Sequence, residues 1–534
     1  MGTADNHYDV VVVGYGLAGE AAASLLARLG HKVVVFERWP SLYGLPRTIS
    51  TDGEGSRIID KAGDVEHALE GSSKIRSYEI VDADHNRIVG RTWDDENVCG
   101  FYNRTSFYQP NVEEAMDRGA RTHGAEINQG WEVTSIVQDD DGVTVEVVEH
   151  EGVGEAPIVD PQRRTVTASY VIGADGARSS VRAGVPTDWT YYDYRDAWLS
   201  VDVRRKHALE RFDPSASLQI ISPERVVASI PIGQERIRFE FLLGGEPEEH
   251  QDLTEEAGYR FLEEAFGVTR ADVEIYRQVV YPFEGRMAQQ WRHGRIFLAG
   301  DAAHLMPPFV GMGAVSAFRD AINLAWKLDL VIRGISGDGL LDTYQQERWP
   351  HVESYIQLGV AIGKMCAITD PAAAEARNEA MRDGGSEQPP DPEYDLGVLQ
   401  MEDGVVARPA GLREPQGVVR RGAEEGRFDD VVGPWGFSLV VRDADATALL
   451  SDEQRAFLGT IGCKIVELSR DAGSKAWIEQ DDDYEKYFSE HGIIGYLSRP
   501  DFRLFAGIRA LDDLPGIVDD LREQLALTPV ASAA

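Results

Sequence analysis

A chain of 534 residues, 43% hydrophobic and 9% aromatic, is long enough to bury several cores, so two or three domains are expected. Its 90 acidic residues against 53 basic ones leave a formal charge of −37, which argues against nucleic acid or an anionic membrane surface as a partner. No apolar run is long enough to span a bilayer and no leader pattern opens the chain, so a cytoplasmic protein is expected; the three cysteines are widely spaced and indicate neither a disulfide framework nor a metal site.

The chain opens with an apolar strand at 8–13 (YDVVVV) that runs into Gly14-Tyr15-Gly16-Leu17-Ala18-Gly19. A helical stretch at 20–29 is stopped by Gly30, and a second strand at 32–36 ends at Glu37, with Arg38 beside it. This is a dinucleotide-binding βαβ fingerprint. Its glycines serve the turn, the close approach of a pyrophosphate and the helix–strand contact, and its acidic residue suits a ribose 2′-hydroxyl. Spacing alone does not choose between FAD and NAD. The segments LPRT at 45–48, containing Arg47, and FYQP at 107–110, containing Gln109, follow. Residues 131–148 read as a hairpin turning at 139–142, with no chemistry attached. The stretch YVIGADGARSSVR at 170–182 is a strand to Gly173, a tight turn at Asp175-Gly176, then Arg178 and Arg182.

From 185 to 282 the pattern changes to short alternating stretches, at 198–203, 218–221, 226–232 and 237–243, which predict a mostly antiparallel sheet. Tyr191, Tyr192, Tyr194 and Trp198 are the aromatic candidates for a pocket wall, although core packing suits each of them individually. A buried strand at 295–299 then meets Gly300 and Asp301, Pro307-Pro308 stiffen a loop, and a helix starts beyond Gly311 and Gly313. Its Val315, Phe318, Ile322, Ala325 and Leu328 share one face. A carboxylate suited to ribityl or ribose hydroxyls thus precedes a helix N-terminus carrying about half a positive charge. Helical pattern continues over 343–365, allowing for a break at Pro350, and 384–392 (GGSEQPPDP) is a linker by composition. A last domain opens at 429–439, with strands at 437–441 and 464–468.

GDAAH, then PP, then GxG before RDAINLAWKL resembles the second FAD motif of the single-component FAD-dependent aromatic hydroxylases, the p-hydroxybenzoate hydroxylase-like family. Within it the chain looks most like the branch containing 3-(3-hydroxyphenyl)propionate hydroxylase. The resemblance extends to LPRT, the QP element, the DG motif at 170–182 and the SRPD segment at 498–501, so it covers nearly the whole chain. It implies an α/β fold: a Rossmann-like FAD-binding domain over 1–184 and 285–383 with an inserted, mostly antiparallel substrate sheet over 185–284. A linker over 384–394 and a thioredoxin-like domain over 395–534 complete it. It also implies FAD held by Gly14, Gly16, Leu17, Ala18, Gly19, Glu37, Arg38, Arg47, Gln109, Asp175, Gly300, Asp301, Pro308, Gly311, Met312, Gly313, Ala314 and Val315. Arg47, Pro308 and Gly313 are placed nearest the reacting ring.

The implied reaction is hydroxylation of a phenol, 3-hydroxyphenylpropionate-like, with NAD(P)H and O2 through a flavin C4a-hydroperoxide. No second Rossmann fingerprint exists, so NADH or NADPH is expected to bind transiently. A homodimer is the expected assembly. Two positions depart from the family: Val315 stands where Asn is common, and Met312 makes a polar or basic position apolar. Competing readings are an FAD-dependent oxidoreductase or hydroxylase on a polycyclic or non-phenolic substrate, and a flavin-binding partner without turnover. The residues do not identify the group that activates the phenol.

Overall fold

Strand His7–Val13 lies between two parallel neighbours, Val33–Glu37 and Arg163–Gly173, with Val10, Val11 and Val12 fully enclosed. Burial on both faces is why it reads as an unbroken valine run rather than an alternating one. The computed structural model describes residues 7–93, 98–152, 158–384 and 393–526. Strands Glu126–Gln129 and Ile296–Leu298 extend this parallel sheet on either side, and the hairpin of Trp131–Gln138 and Val143–Glu149 joins it antiparallel. The parallel strands finish at Val13, Glu37, Gly173 and Leu298 on the same edge, which is where open α/β sheets bind ligands.

A second sheet of eight strands runs in the order His304–Leu305, Val273–Ala288, Trp189–Arg205, Arg236–Leu242, Val226–Ile232, Ala216–Ile221, Ser77–Val81 and Arg87–Thr92. The four alternating stretches of the sequence fall on four of these strands. The sheet also takes in the 77–92 hairpin and residues 304–305 from outside 185–284, a recruitment that local pattern cannot show. One face carries Val201, Val203, Phe239 and Phe241 against Leu262 and Phe266 of helix Glu255–Phe266. The other face looks toward the first sheet.

Helix Thr343–Cys366 runs on through Pro350, where the sequence allowed for a break. Tyr344, Arg348, Val352 and Tyr355 bury both flanking turns, and that packing outweighs a proline cost of about 3 kcal/mol. Helix Gly313–Ile332 is buried from Val315 to Leu330 on every side, not on one face alone. Its Arg319, Asp320 and Lys327 tolerate this because each is ion-paired. Residues 385–392 of the expected linker lie outside the described residues. The last sheet has seven strands. Four of them run side by side to one edge in the order Lys464–Ser469, Ser438–Arg442, Gly495–Ser498 and Leu504–Ile508, the first pair parallel and the next two antiparallel. Its core includes Trp326 of the long helix, which joins this region to the rest of the molecule. Among the described residues no helix is long and apolar enough to cross a membrane.

Candidate active site

The first strand must turn immediately after Val13. Gly14 does so at φ +93°, and a Cβ there would lie 2.5 Å from the Ala174 carbonyl oxygen, so no other residue fits. A Cβ on Gly19 would lie 2.1 Å from the Gly14 oxygen; this glycine sets the helix–strand approach and stands behind the site. In front of Gly16 there is open space, since a Cβ would meet nothing within 4 Å. Helix Leu17–Arg28 starts there without a side-chain cap, leaving its first N–H groups for an anion. The Glu37 carboxylate is fixed by the N–H groups of Tyr15 (2.7 Å) and Trp39 (2.9 Å). Arg38 lies over the Trp39 ring at 4.8 Å.

Facing this turn is the end of strand Ile296–Leu298. Gly300, at φ +58°, donates its N–H to Asp320 at 3.0 Å. The same carboxylate also pairs with His304 (2.7 Å) and accepts from Arg348 (2.8 Å), so the RDA segment of the long helix anchors the GDAAH turn from behind. Asp301 opens into a cavity and has no hydrogen-bond partner among the described residues. Burial pushes its pKa up, with His304, Arg47 and Arg286 only partly opposing. Helix Gly313–Ile332 likewise starts uncapped, after Gly311 at φ +65°. Gly313 and Ala314 line the cavity. The Met312 and Val315 side chains do not; they turn into an apolar cluster with Val310 and Tyr355, leaving only their backbone to serve a cofactor.

The loop containing Arg47 is gripped from two directions. Gln109 Oε1 accepts from the N–H groups of Arg47 (2.7 Å) and Thr48 (2.9 Å), while its Nε2 donates to Glu113 (2.6 Å). The amide that the resemblance assigns to FAD is therefore engaged at both ends by protein. Arg238, on the substrate sheet, donates to the carbonyls of Pro46 (2.9 Å) and Arg47 (2.6 Å). The Arg47 guanidinium lies over Tyr43 at 4.1 Å. Asp175 accepts from the N–H groups of Ser180 (2.6 Å) and Val181 (3.2 Å), holding the short turn of helix Ser180–Ala183.

These pieces close on one space. Gly14, Gly16, Leu17, Ala18, Glu37, Arg38, Arg47, Gln109, Asp175, Asp301, Pro308, Gly311, Gly313 and Ala314 all line a cavity of about 1590 Å³; Gly19 and Gly300 stand just outside it. Trp131 and Glu132 line it too, although the sequence attached no chemistry to their hairpin. The cavity continues under the second sheet to Arg238, Glu240, Arg277, Tyr281 and Phe283.

The expected aromatic wall is not the observed one. Tyr191 is 70% exposed, Tyr192 donates to Glu353, and Tyr194 and Trp198 are packed away against Phe309. Trp198 is covered by the stacked ring of Phe283, at 4.7 Å, so Phe283 and Phe309 face the space in its place. Sequence reasoning also missed a polar ladder. Ser200 and Asp202 pair across strands with Glu240 and Arg238, and Arg277 reaches Asp202 from the other side at 3.2 Å. Its signal was the alternation of WLSVDV and RIRFEFL, which sets polar residues on one face and apolar ones on the other.

The residues fit FAD. Two uncapped helix starts suit its anionic pyrophosphate and electron-rich ring, the space before Gly16 admits close backbone approach, and the unpartnered Asp301 needs hydroxyl donors. A family model described as FAD binding domain matches residues 7–358, and one described as HcaD C-terminal domain matches 411–524. The chain is 32% identical to the "Probable NADH-specific resorcinol 4-hydroxylase" of Rhodococcus jostii (strain RHA1), over 98% of this chain and 96% of that one.

The chain belongs to the FAD-dependent aromatic hydroxylase family.

This hydroxylase is also 32% identical to the "3-(3-hydroxy-phenyl)propionate/3-hydroxycinnamic acid hydroxylase" of Mycobacterium avium (strain 104), over 98% of this chain and 93% of the relative. Among solved structures it shares its fold with aklavinone-11 hydroxylase in complex with FAD and aklavinone. The TM-score is 0.75 at 24% identity, covering 98% of this chain and 100% of that one. As an FAD-dependent monooxygenase, the hydroxylase uses a nicotinamide cofactor as reductant.

Proposed function

We propose that this hydroxylase acts on a small phenol of the resorcinol or 3-hydroxyphenylpropionate kind. One observation carries the reading: a single cavity runs from the fingerprint glycines past Asp301 and Pro308 to a face bearing both aromatic rings and polar groups. In this reading the N–H groups at Gly16–Ala18 take the FAD pyrophosphate, Glu37 takes a ribose hydroxyl, and Asp301 takes a second hydroxyl of the cofactor. The start of helix Gly313–Ile332 favours negative charge on the ring system. Arg47 sits in a loop held by Gln109 and Arg238, so its position depends on both domains. Phe283, Phe309 and Met306 exclude water around the phenol. When bound, FAD supplies hydride acceptance from NAD(P)H and activation of O2 for transfer to the ring.

A polycyclic phenol is the second reading: the cavity holds FAD at one end, and its other end continues under the second sheet from Arg238 and Tyr281 to Leu358, Ile362 and Met381. The strand order of the last domain supports calling it thioredoxin-like, with a structural or dimer-contact role; size-exclusion chromatography with light scattering tests the dimer. The deciding experiment takes the visible spectrum of the purified protein, then follows NADH and NADPH consumption, peroxide release and ¹⁸O incorporation from labelled O2. Resorcinol, 3-(3-hydroxyphenyl)propionate and a tetracyclic phenol form the panel. If FAD binds yet no phenol gains oxygen, the reading is wrong.

A further inference from the structure

Hydroxylation of a phenol is faster from the phenolate, so the site needs somewhere to send the phenolic proton. Several carboxylates line the cavity, but their surroundings separate them. Asp175 and Glu37 are held by backbone N–H groups at the cofactor end, away from the second sheet. Glu284 is paired with Arg195 and Arg286. Glu248 lies in an exposed turn. Asp301 belongs to the cofactor side. Glu113 accepts from Gln109 beside the Arg47 loop, and Glu132 lies on the hairpin of the first sheet, away from the second. Asp202, behind the lining, is committed to Arg238 and Arg277.

Glu240 differs from all of these. It is 7% exposed, it lines the cavity from the middle of the sheet, and among the described residues its carboxylate forms no ion pair. Its one hydrogen bond is a long one from Ser200, at 3.3 Å, and the Ser200 hydroxyl lies 3.5 Å from that of Tyr281. Register explains the grouping: Ser200 is the cross-strand partner of Glu240, while Tyr281 opposes Trp198, two residues along the same face.

Resting on the hydroxylase reading above, we propose that Glu240 is the base that takes the substrate's phenolic proton, with Tyr281 and Ser200 orienting it. The phenol O–H bond breaks, a carboxylic O–H bond forms on Glu240, and the electron pair stays on the phenolate oxygen; nothing is oxidised or reduced in this step. The charged and titratable groups facing Glu240 are Arg238 on its own strand, Asp202 on the adjacent strand, Arg277 and Tyr281 on the strand beyond that, and Tyr78 from the recruited hairpin. Burial raises the Glu240 pKa, with Arg238 and Arg277 opposing and Asp202 reinforcing, which moves it toward that of a phenol and strengthens it as a base. Tyr281 is pushed up to about 12, first by burial and then by Glu240, so it stays protonated and serves as a donor.

The test compares the full-length, FAD-loaded protein with its Glu240→Gln and Glu240→Asp variants, using resorcinol and 3-(3-hydroxyphenyl)propionate as probes. Ultraviolet difference spectra report the pKa of the bound phenol, and product formation is followed from pH 6 to 10. The visible spectrum and melting temperature check that each variant folds with FAD. Glu240→Gln is expected to lose about 10²–10⁴-fold of the product rate at neutral pH without lowering the phenol's ionisation pH. That rate should recover toward pH 10, and Glu240→Asp should retain part of it. Product rates within threefold of the parent at pH 7, or a loss that pH does not restore, would overturn the assignment while leaving the hydroxylase reading intact. A parent protein that hydroxylates no phenol would remove both.

Discussion

Arg499 and Glu347 form a bidentate ion pair, at 2.9 and 2.7 Å, with both side chains fully buried although they stand 152 positions apart in sequence. Arg499 belongs to the SRPD segment of the last domain, and Glu347 to helix Thr343–Cys366 behind the cofactor end. Glu347 also accepts from Lys327 and Asn323, and Asp501 from Arg499 and Asn323. The last domain is therefore wired to the motif that follows the GxG turn. Arg499→Met leaves Glu347 with a single cation and should cost about 3–5 kcal/mol. Urea unfolding of the two proteins side by side measures it; a loss below about 1 kcal/mol would mean the pair does not hold the domains together.

Gly14→Ala has no room and no suitable backbone conformation. The Cβ meets the Ala174 carbonyl, and the strain at φ +93° alone costs about 1–3 kcal/mol. The variant should purify nearly colourless, with its flavin absorbance at least tenfold below the parent's. Gly16→Ala is the informative contrast: its Cβ enters open space, so the fold should keep its melting temperature while FAD affinity falls.

Removing the Gln109 amide strands two backbone donors. Gln109→Leu should lower stability by about 1–3 kcal/mol and free the Arg47 loop. The expected kinetic signature is poor coupling, with more hydrogen peroxide released per NADH consumed. A variant with unchanged coupling would show that Arg238 alone positions the loop.

Acid should destabilise the protein through the range in which ordinary carboxylates titrate and below it. Burial alone would raise the pKa of Glu54, but Arg319, Arg503 and Arg413 more than offset it and bring it down to about 2 from 4.5. Unfolded chains bind a proton at this residue below about pH 4.5, and the folded chain does so only near pH 2. Stability is thus fully present above pH 4.5 and is lost as pH falls toward 2, by roughly 3 kcal/mol from this residue. Melting temperatures measured from pH 6 down to 3 check it. Glu54→Gln should flatten the slope while lowering the value at pH 6.

Much of the cofactor end was legible in the residues themselves, because its rules are local. A glycine at a strand end, an acid at the next strand end and an uncapped helix start are each set by a few neighbouring residues. The strand at 8–13, the turn at 14–19 and the strand–turn–helix around 296–332 are found where those rules place them. Met312 and Val315 show the limit of such reading, since the side a helix residue faces depends on what packs beside it, here Tyr355.

The substrate end was different. Alternation in WLSVDV and RIRFEFL marked two-faced strands, but only the register between strands brought Ser200, Asp202, Arg238, Glu240, Arg277 and Tyr281 together. Likewise, Pro350 reads as a helix break until its turns are buried, and residues 77–92 read as part of the first domain until they pair with strand Ala216–Ile221. Sequence alone determined that this protein carries a dinucleotide-binding turn and a second strand–turn–helix device, because backbone conformation and short-range capping follow from residue type; the resemblance of the motifs made the cofactor FAD. Tertiary structure alone decided which polar groups share the cavity under the second sheet, because cross-strand register and burial are properties of surfaces assembled from distant parts of the chain.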